Sequence, residues 1–188
     1  MTEFIAQVME RLREAHVVLE NGLSVQEVAQ VEHDYCFKFS VVHRQFLMTV
    51  LPVGPGWWDW RHGNPEVIRR FLKAPIEGVL FDVRKNDFWP SSWGAKPAYR
   101  DEQVQVAEAR LSTVPQLIPV YSHRYMVSGL DACASPVFSV VQTDVVYYGD
   151  NLLDYVAQQF HVGPRNPSEP PHIPFWSDLA MGLEPDQM

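Results

Sequence analysis

Four short runs rich in β-branched and aromatic residues lie close together in the second half of the chain. They cover residues 117–121, 124–127, 137–142 and 145–148, and short links join them. Such runs predict β-strands, and helical spacing dominates the chain before them. Helices followed by clustered strands indicate an α+β fold with a mainly antiparallel sheet flanked by helices, because the alternating order of a doubly wound fold is absent.

The clearest local signal in the first half is a capping box. Ser24 can cap a helix, and Glu27 stands at the third helical position. Leu23 and Val28 supply the hydrophobic staple that often accompanies such a cap. These residues predict a helix from Ser24 to about residue 35.

Apolar spacing and proline positions predict the other elements. Asn64 and Pro65 are expected to open a short helix that Pro75 closes. Further predictions are helices over residues 4–19, from 40 until 52, over 101–114 and over 151–160, a buried strand over 78–83, and an ordered loop over 88–97.

The C-terminal segment has the composition of an extended arm. Residues 163–174 hold five prolines, which stiffen the chain in an extended form. Phe175 and Trp176 follow, and they are too apolar to stay in water, so we expect them to dock on the domain. The predicted organisation is one domain over residues 1–162 and an arm over residues 163–188.

The charge of the chain bears on its partners. It has 23 acidic and 15 basic residues, a net charge of −8. A generic phosphate-binding surface needs excess Lys and Arg, so direct binding of nucleic acid is disfavoured. An acidic protein suits a basic protein partner, because opposite charges speed encounter, although solubility alone also explains the charge.

The expected location is cytoplasmic, without membrane association. The first residues lack the basic and apolar pattern of a secretory signal. No stretch reaches the roughly 20 apolar residues that a membrane helix needs. Cys36 and Cys133 sit in apolar settings without paired spacing, which indicates buried thiols in a reducing compartment.

Known catalytic motifs are absent from the sequence. It contains no phosphate loop, dinucleotide fingerprint, nucleophile elbow or zinc helix. Its seven His residues are scattered, and none has a second His four residues away that could share a metal. We therefore expect no enzyme activity, no catalytic residues, no metal site and no cofactor.

One aromatic run is the best candidate for a partner-binding site. It comprises Trp57, Trp58, Asp59, Trp60, Arg61 and His62. Exposed Trp and Arg anchor many protein interfaces. Two other interpretations stay open: the indoles could fill the gap between the helices and the sheet, or Asp59 and His62 could form an acid–base pair.

A serine beside a histidine occurs within the strand-rich half, at Ser122 and His123. This pair suggests a nucleophile and its base. Adjacent residues on a strand point to opposite faces, however, so their side chains are not expected to bond. We expect a buried histidine without a catalytic role.

Two acidic residues, Asp82 and Asp144, also fall in strand-like runs. They could mark an ion site. A buried carboxylate needs a partner, so we favour pairing with Arg84 or Arg124.

Several segments, taken in order, resemble the SMI1/KNR4 family of the SUKH superfamily and its bacterial members in particular. They are residues 23–29 with Glu32, 46–47, 51–54, 77–83, 88–89, 93–94, 117–121, 123–125, 136–140, 143–144, 147–149 and 174–177. Each motif is short, and their order makes the match specific. The loop around Trp57 departs from the family in being unusually aromatic.

The resemblance implies a function as well as a fold. Bacterial members are commonly immunity proteins that bind and neutralise secreted polymorphic toxins, and the family implies no catalytic residue set. We therefore expect a non-enzymatic protein-binding module, an immunity protein whose partner is a basic toxin domain. The alternatives are a small-ligand sensor, and a hydrolase that uses Asp59, His62 or His123.

Overall fold

Helices form most of the first half of the molecule, and a β-sheet forms much of the second. The computed structural model describes residues 2–131 and 134–185. Besides a 3-10 helix at Ser91–Trp93, the elements are α1 (Thr2–Glu14), β1 (Val18–Asn21), α2 (Val25–Asp34), α3 (Val41–Thr49), β2 (Val50–Val53), α4 (Pro65–Lys85), α5 (Arg100–Leu111), β3 (Leu117–Tyr121), β4 (Arg124–Val127), β5 (Val137–Val141), β6 (Asp144–Gly149), α6 (Leu152–Phe160) and α7 (Trp176–Ala180).

The predicted helix starts are confirmed where a side chain caps them. At α2 the Glu27 amide donates to Ser24 Oγ over 3.1 Å, and the Ser24 amide donates to Glu27 Oε2 over 2.7 Å. Asn64 caps α4 and Asn151 caps α6 in the same way, through amide groups that have no partner within the helix.

The main sheet is antiparallel throughout, in the order β3-β4-β5-β6. Each strand pairs with the next one in the sequence, as the short links predict. β1 and β2 form a separate antiparallel pair. The predicted α+β fold class, a mainly antiparallel sheet flanked by helices, is therefore confirmed.

Opposite faces of the main sheet pack against different helices. Alternate residues of a strand point to opposite faces, so Ile118 and Met126 join one core while Leu117 and Tyr125 join the other. The first core contains residues of α1, α2, α3 and α6, and the second contains residues of α5 and α7. Helix α4 contributes to both cores.

The predicted break at Pro75 and the predicted strand over residues 78–83 are wrong, because α4 is one helix of 21 residues. Pro75 has no N–H for the carbonyl of Phe71, which would normally leave that oxygen unpaired. The hydroxyl of Tyr125 donates to it instead, over 3.3 Å. A strand from the sheet thus stabilises a helix that local propensity would interrupt.

The first predicted helix is too long. It ends at Glu14, and Leu19 lies in β1, paired with Pro52 of β2. The same pairing explains why Pro52 does not terminate α3 directly. Backbone pairing between these distant segments overrides the helical spacing of the apolar residues.

The expected pairing of the two acidic residues with arginine is also wrong. Asp82 is buried in α4, and its Oδ2 accepts hydrogen bonds from the Thr143 amide at 2.9 Å and the Thr143 hydroxyl at 2.6 Å. Asp144 is exposed at the start of β6. The aspartate in α4 therefore holds the β5–β6 turn against the helix.

The C-terminal segment crosses the surface and returns to the core. Arg165 binds both carboxylate oxygens of Asp154 at 2.6 Å. Phe175 and Trp176 are buried, and the Trp176 indole N–H donates to the Pro115 carbonyl over 2.6 Å. These contacts tie the arm to α6 and to the second core.

The cysteine prediction is wrong for Cys36, which is exposed just after α2. Cys133 lies outside the described residues. Within residues 2–131 and 134–185, no helix is long and apolar enough to cross a membrane.

Candidate protein interface

The loop between β2 and α4, residues 54–64, has a defined conformation. Asp59 Oδ1 accepts hydrogen bonds from the amides of Arg61 at 3.0 Å and His62 at 2.7 Å. The Gly63 amide donates to the Asp59 carbonyl over 2.9 Å. The Asp59 carboxylate therefore shapes the turn, and this engagement weakens its candidacy as a general base.

Two of the three indoles in the loop fill space between elements, as one of the open interpretations holds. Trp60 is 5% exposed and packs edge-on against Phe37 and Phe39. Trp58 lies 4.5 Å from Phe71, measured between ring centroids. Trp60 is thus out of reach of a partner in this structure.

Arg61 is engaged within the molecule. Its Nε contacts Glu27 Oε1 at 2.6 Å, and its Nη2 donates to the carbonyls of Asn21 and Gly22 at 3.1 Å each. The hydrogen bond from Arg61, with the Ser24 amide, lowers the pKa of Glu27 to about 2. Arg61 therefore ties the loop to the start of α2.

Trp57 has a different setting, because it is half-buried at the edge of the main sheet. It forms an isolated β-bridge with Tyr121, and their rings lie 5.0 Å apart. Its indole stacks on Phe160 at 5.8 Å with an interplanar angle of 16°. We call Trp57, Tyr121 and Phe160 the aromatic trio.

Close backbone approach supports the trio. A Cβ on Gly56 would lie 2.4 Å from Tyr121 Cζ, and Gly56 has a φ of 88°. The Gly56 carbonyl also accepts the Ser122 amide at 2.7 Å. Only glycine suits both the contact and the backbone conformation.

The sheet continues this surface beyond the trio. Tyr121 pairs with Arg124, Arg124 with Ser139, and Ser139 with Val146, so these side chains share one face. Val146 is 43% exposed and Val141, on the same face, is 52% exposed. We call Arg124, Ser139, Val141, Val146 and Tyr148 the open sheet face.

Sequence reasoning missed the open sheet face, because exposed and buried valines look alike in a strand. A signal was present, since Arg124 is the one Lys or Arg between residues 117 and 164. A lone cation in the middle of a sheet needs a specific environment.

Ser122 and His123 correct a second expectation. They form a two-residue turn between β3 and β4, with Ser122 at a φ of 49°, so strand alternation does not apply. Ser122 Oγ lies 3.3 Å from His123 Nδ1. Burial, and then the charge of Arg124, lowers the pKa of His123, which makes it a weaker base.

The predicted acid–base residues are not joined into a relay. No hydrogen bond connects the side chains of Asp59, His62 and His123 in the part of the chain that the structure describes. The same described residues include no group of three or more His, Cys, Asp or Glu that could hold a metal ion.

Comparison of the chain with protein-family models, with curated proteins and with solved structures finds no match in any of the three.

Proposed function

We propose that this chain is a cytoplasmic, non-enzymatic protein-binding module. In more detail, it is a bacterial protein of the SMI1/KNR4 type that neutralises a basic toxin domain and needs no cofactor. The ordered motifs that resemble that family support the finer statement, and so does an antiparallel sheet flanked by helices.

The observation that carries the proposal is the continuous surface formed by the aromatic trio and the open sheet face. It joins three half-buried rings, one arginine and two exposed valines on a rigid sheet. Aromatic residues and Arg are enriched at the centres of protein interfaces. A rigid support also lowers the ordering cost of binding.

The charge of the molecule suits a basic partner. Residues 117–185 hold two basic residues, Arg124 and Arg165, against seven acidic residues. A basic toxin domain would be attracted at long range by this half of the chain. Direct binding of nucleic acid would be opposed by the same charge.

The test is calorimetric titration of the purified chain with the toxin domain encoded beside its gene. We expect a 1:1 complex and protection of cells that co-express the two proteins. Val146→Glu should weaken binding by about 100-fold, because it places a charge in an apolar contact. Val41→Glu is the matched control, since Val41 has the same 43% exposure outside this surface.

Trp57→Ala gives a second readout, with Trp89→Ala as control. Trp89 is also half-buried but packs in the loop before α5, against Trp93. Loss of binding with the first variant alone supports the surface. Equal binding by Val146→Glu, Trp57→Ala and the unaltered chain would place the interface elsewhere, and absence of any complex would refute the immunity role.

A further inference from the structure

Arg124 has an unusual electrostatic position for a partly buried arginine. It forms no salt bridge with any Asp or Glu of the described residues. Arg61 and Arg165, in contrast, each contact a carboxylate at 2.6 Å. A partly buried cation normally has such a partner, so the absence at Arg124 calls for a physical cause.

Its guanidinium group is nevertheless held in a fixed position. One Nη1 donates to Ser139 Oγ over 2.7 Å, which links neighbouring strands β4 and β5. The guanidinium carbon lies 3.8 Å from the centre of the Tyr148 ring. A cation–π contact at this distance stabilises the charge without using its N–H donors.

Donors remain unused at this position. The Nε of Arg124 is buried and has no hydrogen-bond partner within the described part of the chain. The hydroxyl of Tyr155, a residue with 0% exposure, likewise has none there. Burial raises the pKa of Tyr155 and the charge of Arg124 opposes that shift, so the two groups share one electrostatic environment.

We infer that Arg124 forms a carboxylate-binding site at the centre of the open sheet face, and that it receives an Asp or Glu side chain of the protein partner. A guanidinium presents parallel N–H donors in a planar fork that matches a carboxylate. Tyr148 and Ser139 orient the fork before binding. The partner as the source of the carboxylate rests on the proposed function; the site itself does not.

The net charge of −8 is compatible with this site. Net charge acts on the approach of a whole partner, whereas one desolvated charge pair acts at contact and selects the correct orientation. A basic partner that presents one acidic residue to Arg124 satisfies both.

The site can be tested on the full chain with sodium acetate as the probe. The Nε–H signal of Arg124 and the amide signals of Arg124, Ser139 and Tyr148 are followed by NMR while acetate replaces chloride at constant ionic strength. We expect saturable shifts in the unaltered protein. In Arg124→Gln the Ser139 and Tyr148 shifts should disappear, while Arg110→Gln, an exposed control on α5, should retain them.

Arg124→Lys separates charge from geometry. It keeps the positive charge but lacks the fork, so acetate affinity should fall at least several-fold, and this variant remains informative if the glutamine variant does not fold. Shifts that are equal in acetate and chloride would overturn the site. Saturation by inorganic phosphate but not by acetate would overturn the carboxylate assignment.

A second arm concerns the partner. Where acetate binds, partner Asp and Glu residues are replaced singly by Asn or Gln, and one of them should show a binding defect that is not additive with Arg124→Gln. Acetate binding without a protein complex would refute the proposed function and leave the site intact. A complex without acetate binding would refute the site alone.

Discussion

Individual buried polar residues differ in whether the fold supplies them with a partner. Burial acts to raise the pKa of Asp154, but hydrogen bonds from Arg165 and from the amides of Asp150 and Asn166 outweigh it, so the pKa is lowered. His43 is the opposite case. Its Nδ1 has no partner among the described residues, and burial lowers its pKa to about 3.

His43 should make the stability of the fold depend on pH. The folded protein keeps it neutral, whereas the unfolded chain protonates near pH 6.5. The unfolded state therefore binds more protons below that pH, and the stability is fully present above pH 6.5 and lost as the pH falls toward 3. The free energy of unfolding should drop by about 2 kcal/mol between pH 6.5 and 5 from this residue alone.

Urea unfolding across that range measures the effect. His43→Leu should flatten the dependence, while His33→Gln, at an exposed position in the last turn of α2, should leave it unchanged. An unaltered slope in His43→Leu would contradict the assignment.

At the scale of elements, α4 shows how the sheet and a helix stabilise one another. Tyr125 supports the carbonyl that Pro75 leaves free, and Asp82 binds the β5–β6 turn. Gly78 lies one helical turn before Asp82, and a Cβ at Gly78 would be 2.8 Å from Gln142 Cα in that turn. The helix therefore offers a flat seat for backbone of the sheet.

Gly78→Ala should consequently destabilise the protein, although alanine favours a helix by about 1 kcal/mol over glycine. The clash is with backbone and cannot be relieved by a side-chain rotation, so we expect a net loss of about 1–3 kcal/mol in the free energy of unfolding. Glu77→Ala, at the exposed neighbouring position, should change it by less than about 0.5 kcal/mol. A gain in stability for Gly78→Ala would show that the turn is not seated there.

At the scale of the whole molecule, the C-terminal arm closes the second core. Trp176 is fully buried and belongs to the same cluster as Val79 of α4, Ala107 of α5 and Phe138 of β5. Residues far apart in the chain therefore depend on one C-terminal side chain, and the arm participates in the stability of the domain.

Trp176→Ala should reduce the free energy of unfolding by about 3–5 kcal/mol, through lost burial and a cavity. Leu183→Ala is the control, because Leu183 is 55% exposed. Hydrogen exchange of the variant also tests the predicted domain boundary at residue 162. Faster exchange confined to residues 163–185 would support an independent domain over residues 1–162, and faster exchange throughout the second core would extend the domain into the arm.

The sequence by itself determined the features that depend on neighbouring residues: the caps at Ser24, Asn64 and Asn151, the strands β3 to β6, and the fold class. Caps and strand periodicity act within a few residues, so they can be inferred without a tertiary structure. Only the tertiary structure decided that α4 continues through Pro75, that Trp57 is half-buried while Trp60 is buried, and that Arg124 lies unpaired on an open face. Each of these depends on contacts between distant segments, and local propensity contains no information about which face of an element another segment will cover.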